Sequence, residues 1–395
     1  MGNEKNPAEK LKSIVQELLP EVVGLREELH RQPELSWKEY QTTEKIKSFL
    51  SRHGIGNLNQ PLSTGGWIDF VTNPENSFLM LRADIDALPI QDRKEVAYRS
   101  QKEGICHACG HDVHTSIMAG VAAAIQRMEE KPKYNLRIVF QPAEEPIPSG
   151  APEMIKQGVL EDVKYVLGLH VDPGLPAGTI GLASGWVNMQ SIRLDIKFTG
   201  KGGHSARPFQ AADLIWLASR IIQDGYQKVY RSVNFLQSPV ILTFTEIQAG
   251  QGYNIIPNQL ELTGTLRVAV PAVRDQLLGW FKEYLSVMER ENRCTINFDY
   301  SVGAPAIFND PELMQQLIQN TKKIFGDEVP IDTEYRTPGG DDFSYYVQEL
   351  PGAMIRFGVG QGEDTPGLHD GRFDVPSSVL SLALQFFAQQ VYLIE

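Results

Sequence analysis

The sequence predicts an α/β protein: a main domain with a mostly parallel sheet flanked by helices, interrupted by a second, α+β domain. Three observations carry this reading. Short β-rich runs alternate with helical stretches through the first half of the chain, the pattern of a parallel sheet. After SGW (184–186) the pattern changes to alternating apolar and polar strands, and beyond 303 the first pattern returns. Finally, 395 residues exceed one ordinary core at roughly 150 residues per domain.

Each element follows from local pattern. Residues 7–31 carry Leu11, Ile14, Val15, Leu18, Val22, Leu25 and Leu29 at helical spacing, and Pro33 closes the segment. A second helix fits 38–53. Strands follow at 67–71 and 78–85, a helix at 112–128, a strand at 136–141, a helix at 150–157 and a strand at 165–170. In the interrupting segment the strand 192–200, a helix over 210–227, strands 240–250 and 260–270, a helix over 271–291 and the strand 295–302 read β-α-β-β-α-β. That order is a split βαβ, or ferredoxin-like, unit able to stand alone. A helix at 311–325, a strand at 353–359 and a closing helix at 376–394 complete the main domain. The boundaries are therefore 1–186 and 303–395 for the main domain and 187–302 for the inserted one.

Composition narrows the function. A net charge of −12 without a basic stripe argues against nucleic acid as a partner. No run of eighteen apolar residues is present, so no membrane span is expected. The start MGNEKNPAEK lacks an apolar signal core, and Asn6 breaks the myristoylation pattern. Three cysteines, with Cys294 far from Cys106 and Cys109, do not form a complete disulfide framework, which points to a reducing, cytoplasmic compartment.

Chemistry concentrates in CHACGHDVHTS (106–116), which holds Cys106, His107, Cys109, His111 and His114. A closed zinc knot would need a second Cys pair, which the chain lacks. A redox Cys-x-x-Cys would leave the nearby carboxylates unexplained. A catalytic metal site uses them, with Cys109 and His111 as ligands and Cys106 and His107 as bystanders. Metal-binding side chains recur at strand ends: Asp84 and Asp86 in RADIDALP, Glu144 and Glu145 in QPAEE, and His170 after YVLGL. Open α/β sheets bind ligands beyond those ends, so these groups can converge. The mixed S, N and O set suits Zn²⁺ and admits Mn²⁺, Co²⁺ or Ni²⁺. Adjacent carboxylates point apart, so one can ligate while the other faces water; alone, such a pair is usually solvated surface. Glu144 is the candidate base. His369 in GLHDGRF is a candidate to close the metal shell, and PGGDDFSYY (338–346) adds a Gly-rich turn with acids. In the inserted domain GKGGHSARP offers His204, while Asn254 and Arg267 are suited to hold a substrate carboxylate. His30 and His53 read as ordinary helix residues.

Taken together, HACGHDVH, QPAEE, GLH, GKGGHSARP, NIIPN and GGDDF resemble, in this order over essentially the whole chain, co-catalytic metallohydrolases of the aminoacylase and carboxypeptidase type. The branch most similar contains hippurate hydrolases, auxin-conjugate hydrolases and N-acetyl-diaminopimelate deacetylases. The resemblance implies two divalent metal ions held by Cys109, His111, Glu145, His170 and His369, with Glu144 as general base and Asp84 and Asp86 orienting the ligands from behind. It also implies that the inserted domain serves as lid and makes a homodimer, that His204 reaches the partner's site to steady the substrate carbonyl, and that Asn254 and Arg267 bind substrate. Cys106 stands where the family's pattern has methionine, and Asp341 where it has glutamate. The expected activity is hydrolysis of N-acyl amino acids. A dipeptidase or carboxypeptidase is the nearest alternative, and a non-catalytic metal-dependent binding module is another, although such a module has no use for a proton shuttle beside the ligating glutamate of QPAEE. A cysteine hydrolase lacks an evident base beside Cys106 or Cys109.

Overall fold

Helix α1 (Pro7–Arg31) buries Leu11, Ile14, Val15, Leu18, Val22, Leu25 and Leu29, the stripe its spacing sets out. Each such side chain contributes about 1.5–3 kcal/mol when fully removed from water. The computed structural model describes residues 7–395, and the polar start with Asn6 lies outside the described residues. There follow α2 (Tyr40–Arg52), β1 (Gly66–Phe70), β2 (Phe78–Asp84), α3 (His111–Arg127), β3 (Asn135–Gln141), α4 (Gly150–Lys156), β4 (Val163–Pro176), β5 (Ile180–Gly181) and β6 (Gly185–Trp186). The middle of the chain holds β7 (Gln190–Gly200), β8 (Gly203–His204), α5 (Leu214–Ser232), β9 (Val240–Ala249), β10 (Ile255–Ile256), β11 (Gln259–Val268), α6 (Pro271–Asn292) and β12 (Cys294–Val302). The last part consists of β13 (Phe308–Asn309), α7 (Pro311–Phe325), β14 (Ile331–Asp332), α8 (Ser344–Glu349), β15 (Gly352–Gly360) and α9 (Ser377–Leu393).

The main unit is built on a seven-stranded sheet in the order β1-β3-β2-β4-β15-β5-β14. The β3–β2, β2–β4, β4–β15 and β5–β14 pairs are parallel, and β1–β3 and β15–β5 are antiparallel. Every residue of β2 and β3 is buried, as expected where a parallel sheet is covered on both faces. The carboxyl ends of β2, β3 and β4 consequently open on the same edge, with Asp84 opposite Gln141.

Helix α3 is buried from His111 through Ile125, not along one stripe only. It packs against α1 and α9 at Gly120, where a Cβ would sit 2.6 Å from Val22 Cγ2 and 2.9 Å from Leu384 Cδ1. That close approach fixes the depth at which α3 presents its amino end to the strand edge.

The second unit comprises Trp186–Ala306 together with Thr337–Gly340. Its strands order as β12-β7-β11-β9, all antiparallel, with α5 and α6 supplying the connections of a split βαβ. Alternation along β7 turns Ile192, Leu194, Ile196 and Phe198 inward against Leu217, Ile221, Leu277 and Phe281. Its limits differ from the sequence boundaries by a few residues. Gly303 still donates to the Ser191 carbonyl at 2.8 Å, and the segment 337–340 is tied in by Thr337 N–H to the Val187 carbonyl and Arg267 Nη1 to the Pro338 carbonyl. Local pattern carries no sign of that last segment, because its attachment is made by backbone groups. Among the described residues no helix is long and apolar enough to cross a membrane.

Replacing Gly120 by valine is expected to lower stability by about 1–3 kcal/mol through overpacking against Val22 and Leu384. Thermal denaturation checks this, and an unchanged midpoint would contradict the close approach of the three helices.

Candidate metal centre

Gly110 places the first two candidate ligands. It sits at the amino end of α3 with φ 86°, and a Cβ there would lie 2.4 Å from Val171 Cγ2. Only glycine meets both demands. Cys109 and His111, on either side of it, are thereby set against the end of β4, where Cys109 Sγ lies 3.5 Å from His170 Nε2. The third approach is made by the loop before α9. His369 adopts φ 65° and its N–H donates to the Ala108 carbonyl at 2.8 Å, which brings its ring to the same loop. A non-glycine residue in that conformation costs of order 1–3 kcal/mol and tends to mark functional sites.

The five residues proposed as ligands from sequence do converge. Cys109, His111 and His170 offer atoms within 4.8 Å of one another, as do Cys109, Glu145 and His369. The two groups share Cys109. His369 Nε2 stands 3.4 Å from Glu145 Oε1, and His111 Nε2 lies 4.0 Å from both Glu144 Oε2 and Glu145 Oε1.

Bonds from behind decide which ring nitrogens are free. Asp86 Oδ1 lies 3.1 Å and its carbonyl 2.9 Å from His111 Nδ1, so that nitrogen donates to Asp86 and Nε2 is the one turned toward the other candidate ligands. The other Asp86 oxygen accepts from Ser36 Oγ at 2.7 Å and from the Glu145 N–H at 3.1 Å. His170 is set the same way, its Nδ1 lying 2.6 Å from the Val171 carbonyl and leaving Nε2 toward Cys109. His114 differs. Its Nδ1 faces Asp84 Oδ1 at 2.7 Å and its Nε2 accepts from Val171 N–H at 3.0 Å. Although Asp84, His111 and His114 also lie close together, the His114 ring is fully engaged and acts as a brace between β2 and β4.

The donor set fits divalent metal on a structural observation. His111 Nε2 and Glu145 Oε1 are buried and make no hydrogen bond, a costly condition for polar atoms unless a ligand satisfies them. A thiol, imidazoles and a carboxylate form the mixed set suited to Zn²⁺ and its first-row neighbours. Electrostatics agree. Burial pushes the Cys109 thiol well above its usual range, with Glu145 adding to the push. Burial alone would depress His111, but Asp84, Cys109 and Asp86 outweigh it and hold the imidazole well above its ordinary value. Both sites thus favour positive charge at this point.

A second layer of contacts was not legible in the sequence. Arg82, fully enclosed in β2, donates to Asp84 Oδ2 at 2.5 Å, Asp342 Oδ1 at 2.6 Å and Gln141 Oε1 at 2.8 Å. Gln141 Nε2 and the Ala151 N–H also reach Asp342. Burial pushes Asp342 up to about 7 against the pull of Arg82, with Asp341 adding to the rise. Glu144, 4.8 Å or less from Asp341 and Asp342, is raised well above the ordinary carboxyl range by burial, Asp341, Glu145 and Asp342. Glu39, wholly buried, accepts from the Ala143 N–H and Thr64 Oγ, each at 2.8 Å, and so holds the bend that carries Glu144 and Glu145. A glutamate at the start of a polar helix gives no warning of this in sequence.

Cys106 and His107 join none of the candidate metal groups among the described residues. Burial pushes the Cys106 thiol up to about 11, which removes it as a nucleophile. His204, Asn254 and Arg267 belong to the second unit. His204 is exposed and its Nδ1 accepts from the Ala206 N–H at 3.1 Å, so Nε2 carries the proton of the neutral ring. Arg267 spends Nη1 on the Pro338 carbonyl at 2.8 Å.

Known proteins share this arrangement of chain. Over 353 residues the sequence is 35% identical to N-acetyl-L-cysteine deacetylase of Bacillus subtilis strain 168, covering 89% of this chain and 82% of that one. It is 31% identical over 384 residues to thermostable carboxypeptidase 2 of Saccharolobus solfataricus, covering 95% of each. The crystal structure of Bacillus subtilis YXEP, described as a dinuclear metal-binding peptidase of the M20 family, superposes with a TM-score of 0.83 at 29% identity, over 96% of this chain and 99% of that one. Residues 80–391 match Peptidase family M20/M25/M40, and the chain belongs to that family.

Proposed function

We propose that this protein hydrolyses the amide bond of N-acyl amino acids, using two divalent ions held by Cys109, His111, Glu145, His170 and His369. The observation that carries the reading is the meeting of two ligand groups on Cys109, with the bare His111 Nε2 and Glu145 Oε1 beside a spare glutamate. The N-acetyl-L-cysteine deacetylase relative supports the acyl amino acid class, and the dinuclear relative supports the metal pair, with Zn²⁺, Mn²⁺, Co²⁺ and Ni²⁺ all compatible with the donors.

When bound, such ions supply Lewis acidity toward the amide carbonyl and lower the pKa of water toward about 7. Glu144 does the proton work. Its carboxylate has a raised proton affinity from burial and from Asp341, Glu145 and Asp342, which suits a group that takes a proton and gives it up again. It accepts a proton from the attacking water, whose oxygen joins the acyl carbon, and delivers it to the amine nitrogen as the C–N bond breaks. A carboxylate and a free amino acid leave. Asp86 and Asp84 keep the ligand side fixed while this happens.

The inserted unit completes the reading. His204, with Nε2–H as donor, is assigned to the carbonyl oxygen of substrate bound by the partner in a homodimer, and Asn254 and the remaining N–H groups of Arg267 to the substrate carboxylate. Exposed Ile215, Trp216, Tyr230, Leu236 and Ile247 on that unit supply apolar surface for a second copy. Three free thiols suit the cytoplasm.

The carboxypeptidase relative keeps one alternative in play, cleavage of peptides with a free amino end. Turnover of hippurate, an N-acetyl amino acid and a simple dipeptide separates the two: the acyl substrates are expected to be preferred, and preference for the dipeptide would reverse the assignment. Glu144→Gln is expected to keep its metal while losing about 10²–10⁴-fold in kcat. Metal analysis beside steady-state kinetics checks this, and near-normal kcat would remove Glu144 as the base. Because burial raises the Cys109 thiol and the neighbouring acids raise His111, ion binding is expected to release protons, so affinity should climb as pH rises through and above the ordinary imidazole range. Calorimetry in buffers of different ionisation enthalpy measures that release directly.

A further inference from the structure

The chemistry above makes no use of a second buried polar group, centred on His30. This residue, in the last turn of α1, is fully enclosed rather than an ordinary helix position. Its Nδ1 lies 2.7 Å from Asp112 Oδ2 and its Nε2 3.2 Å from Asp92 Oδ2. Asp92 Oδ2 also accepts from the Ser100 N–H at 2.9 Å, and Asp112 Oδ2 from Arg26 Nε at 2.8 Å. An ionised carboxylate only accepts, so both ring nitrogens must donate and the ring is an imidazolium. Charge then balances locally: Arg26, His30 and Lys94 face Asp92, Asp112 and Asp374, through Arg26 to Asp374 at 2.5 Å and Lys94 to Asp92 at 3.1 Å. Tyr98 donates to Asp374 at 2.6 Å and lies under the Arg26 guanidinium at 4.4 Å.

Two of these carboxylates lie on the segments that carry proposed ligands. Asp112 directly follows His111, and Asp374 lies on the loop that carries His369. The second oxygen of Asp112 is buried without a hydrogen bond, so among the described residues His30 and Arg26 are the side chains that bond this carboxylate, and they add their hold to those of Asp86 and Asp84 on the amino end of α3.

We propose that His30, donating to Asp92 and Asp112 together, is a positioning residue that locks the start of α3 and thereby sets Cys109 and His111 for metal. The inference rests on the metal-centre reading above. Without the ring, Asp112 must re-pair or reach water, and either movement drags the residues on both sides of Gly110. The effect is of the kind produced by losing an outer partner of a ligating histidine, typically 10–100-fold in metal affinity.

The test uses the full-length protein, stripped of metal, with Co²⁺ as probe. Affinity is measured by chelator competition, and the sulfur-to-cobalt absorption band reports the Cys109 bond. His30→Leu, similar in bulk but without a donor, is expected to bind about tenfold or more weakly with a diminished band, and His30→Gln to fall between it and the unaltered protein. Thermal melting is recorded for each variant. A variant that melts lower yet binds Co²⁺ with unaltered affinity and spectrum would show that His30 serves packing only, and would overturn the proposal. Should His30→Leu fail to fold, Asp92→Asn, at the far side of the ring from the centre, is read in the same way: a several-fold loss supports the lock and unaltered affinity refutes it. Failure of the unaltered protein to take up Co²⁺ would instead overturn the centre itself.

Discussion

Asp86 is the constraint on which the centre depends. Its one carboxylate takes the proton side of His111, the Ser36 hydroxyl and the backbone of Glu145. A single group thus determines both which nitrogen of His111 faces the candidate centre and where Glu145 begins. His170 follows the same rule with a backbone carbonyl in place of an acid. His111 Nε2 and Glu145 Oε1 are unsatisfied while their neighbours are satisfied, and this difference is what separates a candidate site from an ordinary buried polar cluster.

The charge balance around the edge of the sheet points the same way. Asp84, Asp86, Glu144, Glu145, Asp341 and Asp342 gather where Arg82 is the buried arginine that faces them. Burial and neighbouring carboxylates push Glu144, Asp341 and Asp342 up, whereas Asp84 and Asp86, paired with His111, are held low despite their burial. Cations relieve that repulsion, so folding and metal uptake are linked through the same side chains. The overall negative charge of the chain, which by composition argues only against nucleic acid, acquires a local meaning here.

Much of this was legible in advance. Strong periodicity set out α1, the buried strands and the β-α-β-β-α-β order of the inserted unit, and strand-end acids and histidines marked the residues that now meet around Cys109. What escaped has physical reasons. Helix α8 spans only Ser344–Glu349, too short for a repeating pattern, and its GGDDF start reads as a turn. Strand β4 runs on to Pro176 through a Pro-Gly stretch that by composition should end it. Arg82 was visible within its strand, but its partners Gln141 and Asp342 come from distant segments, and no local window connects them. His30 looked ordinary for the same reason, since its two acids lie far along the chain.

The bond from the His369 amide to the Ala108 carbonyl joins a loop in the first third of the protein to one near its end. Cys109, His111, Glu145 and His170 all precede His369 by a long stretch of sequence, yet the second candidate group is incomplete without it. The second candidate group is thus closed by a contact between segments far apart in the chain, so any condition that loosens the loop carrying His369 opens that group while Cys109, His111 and His170 stay together.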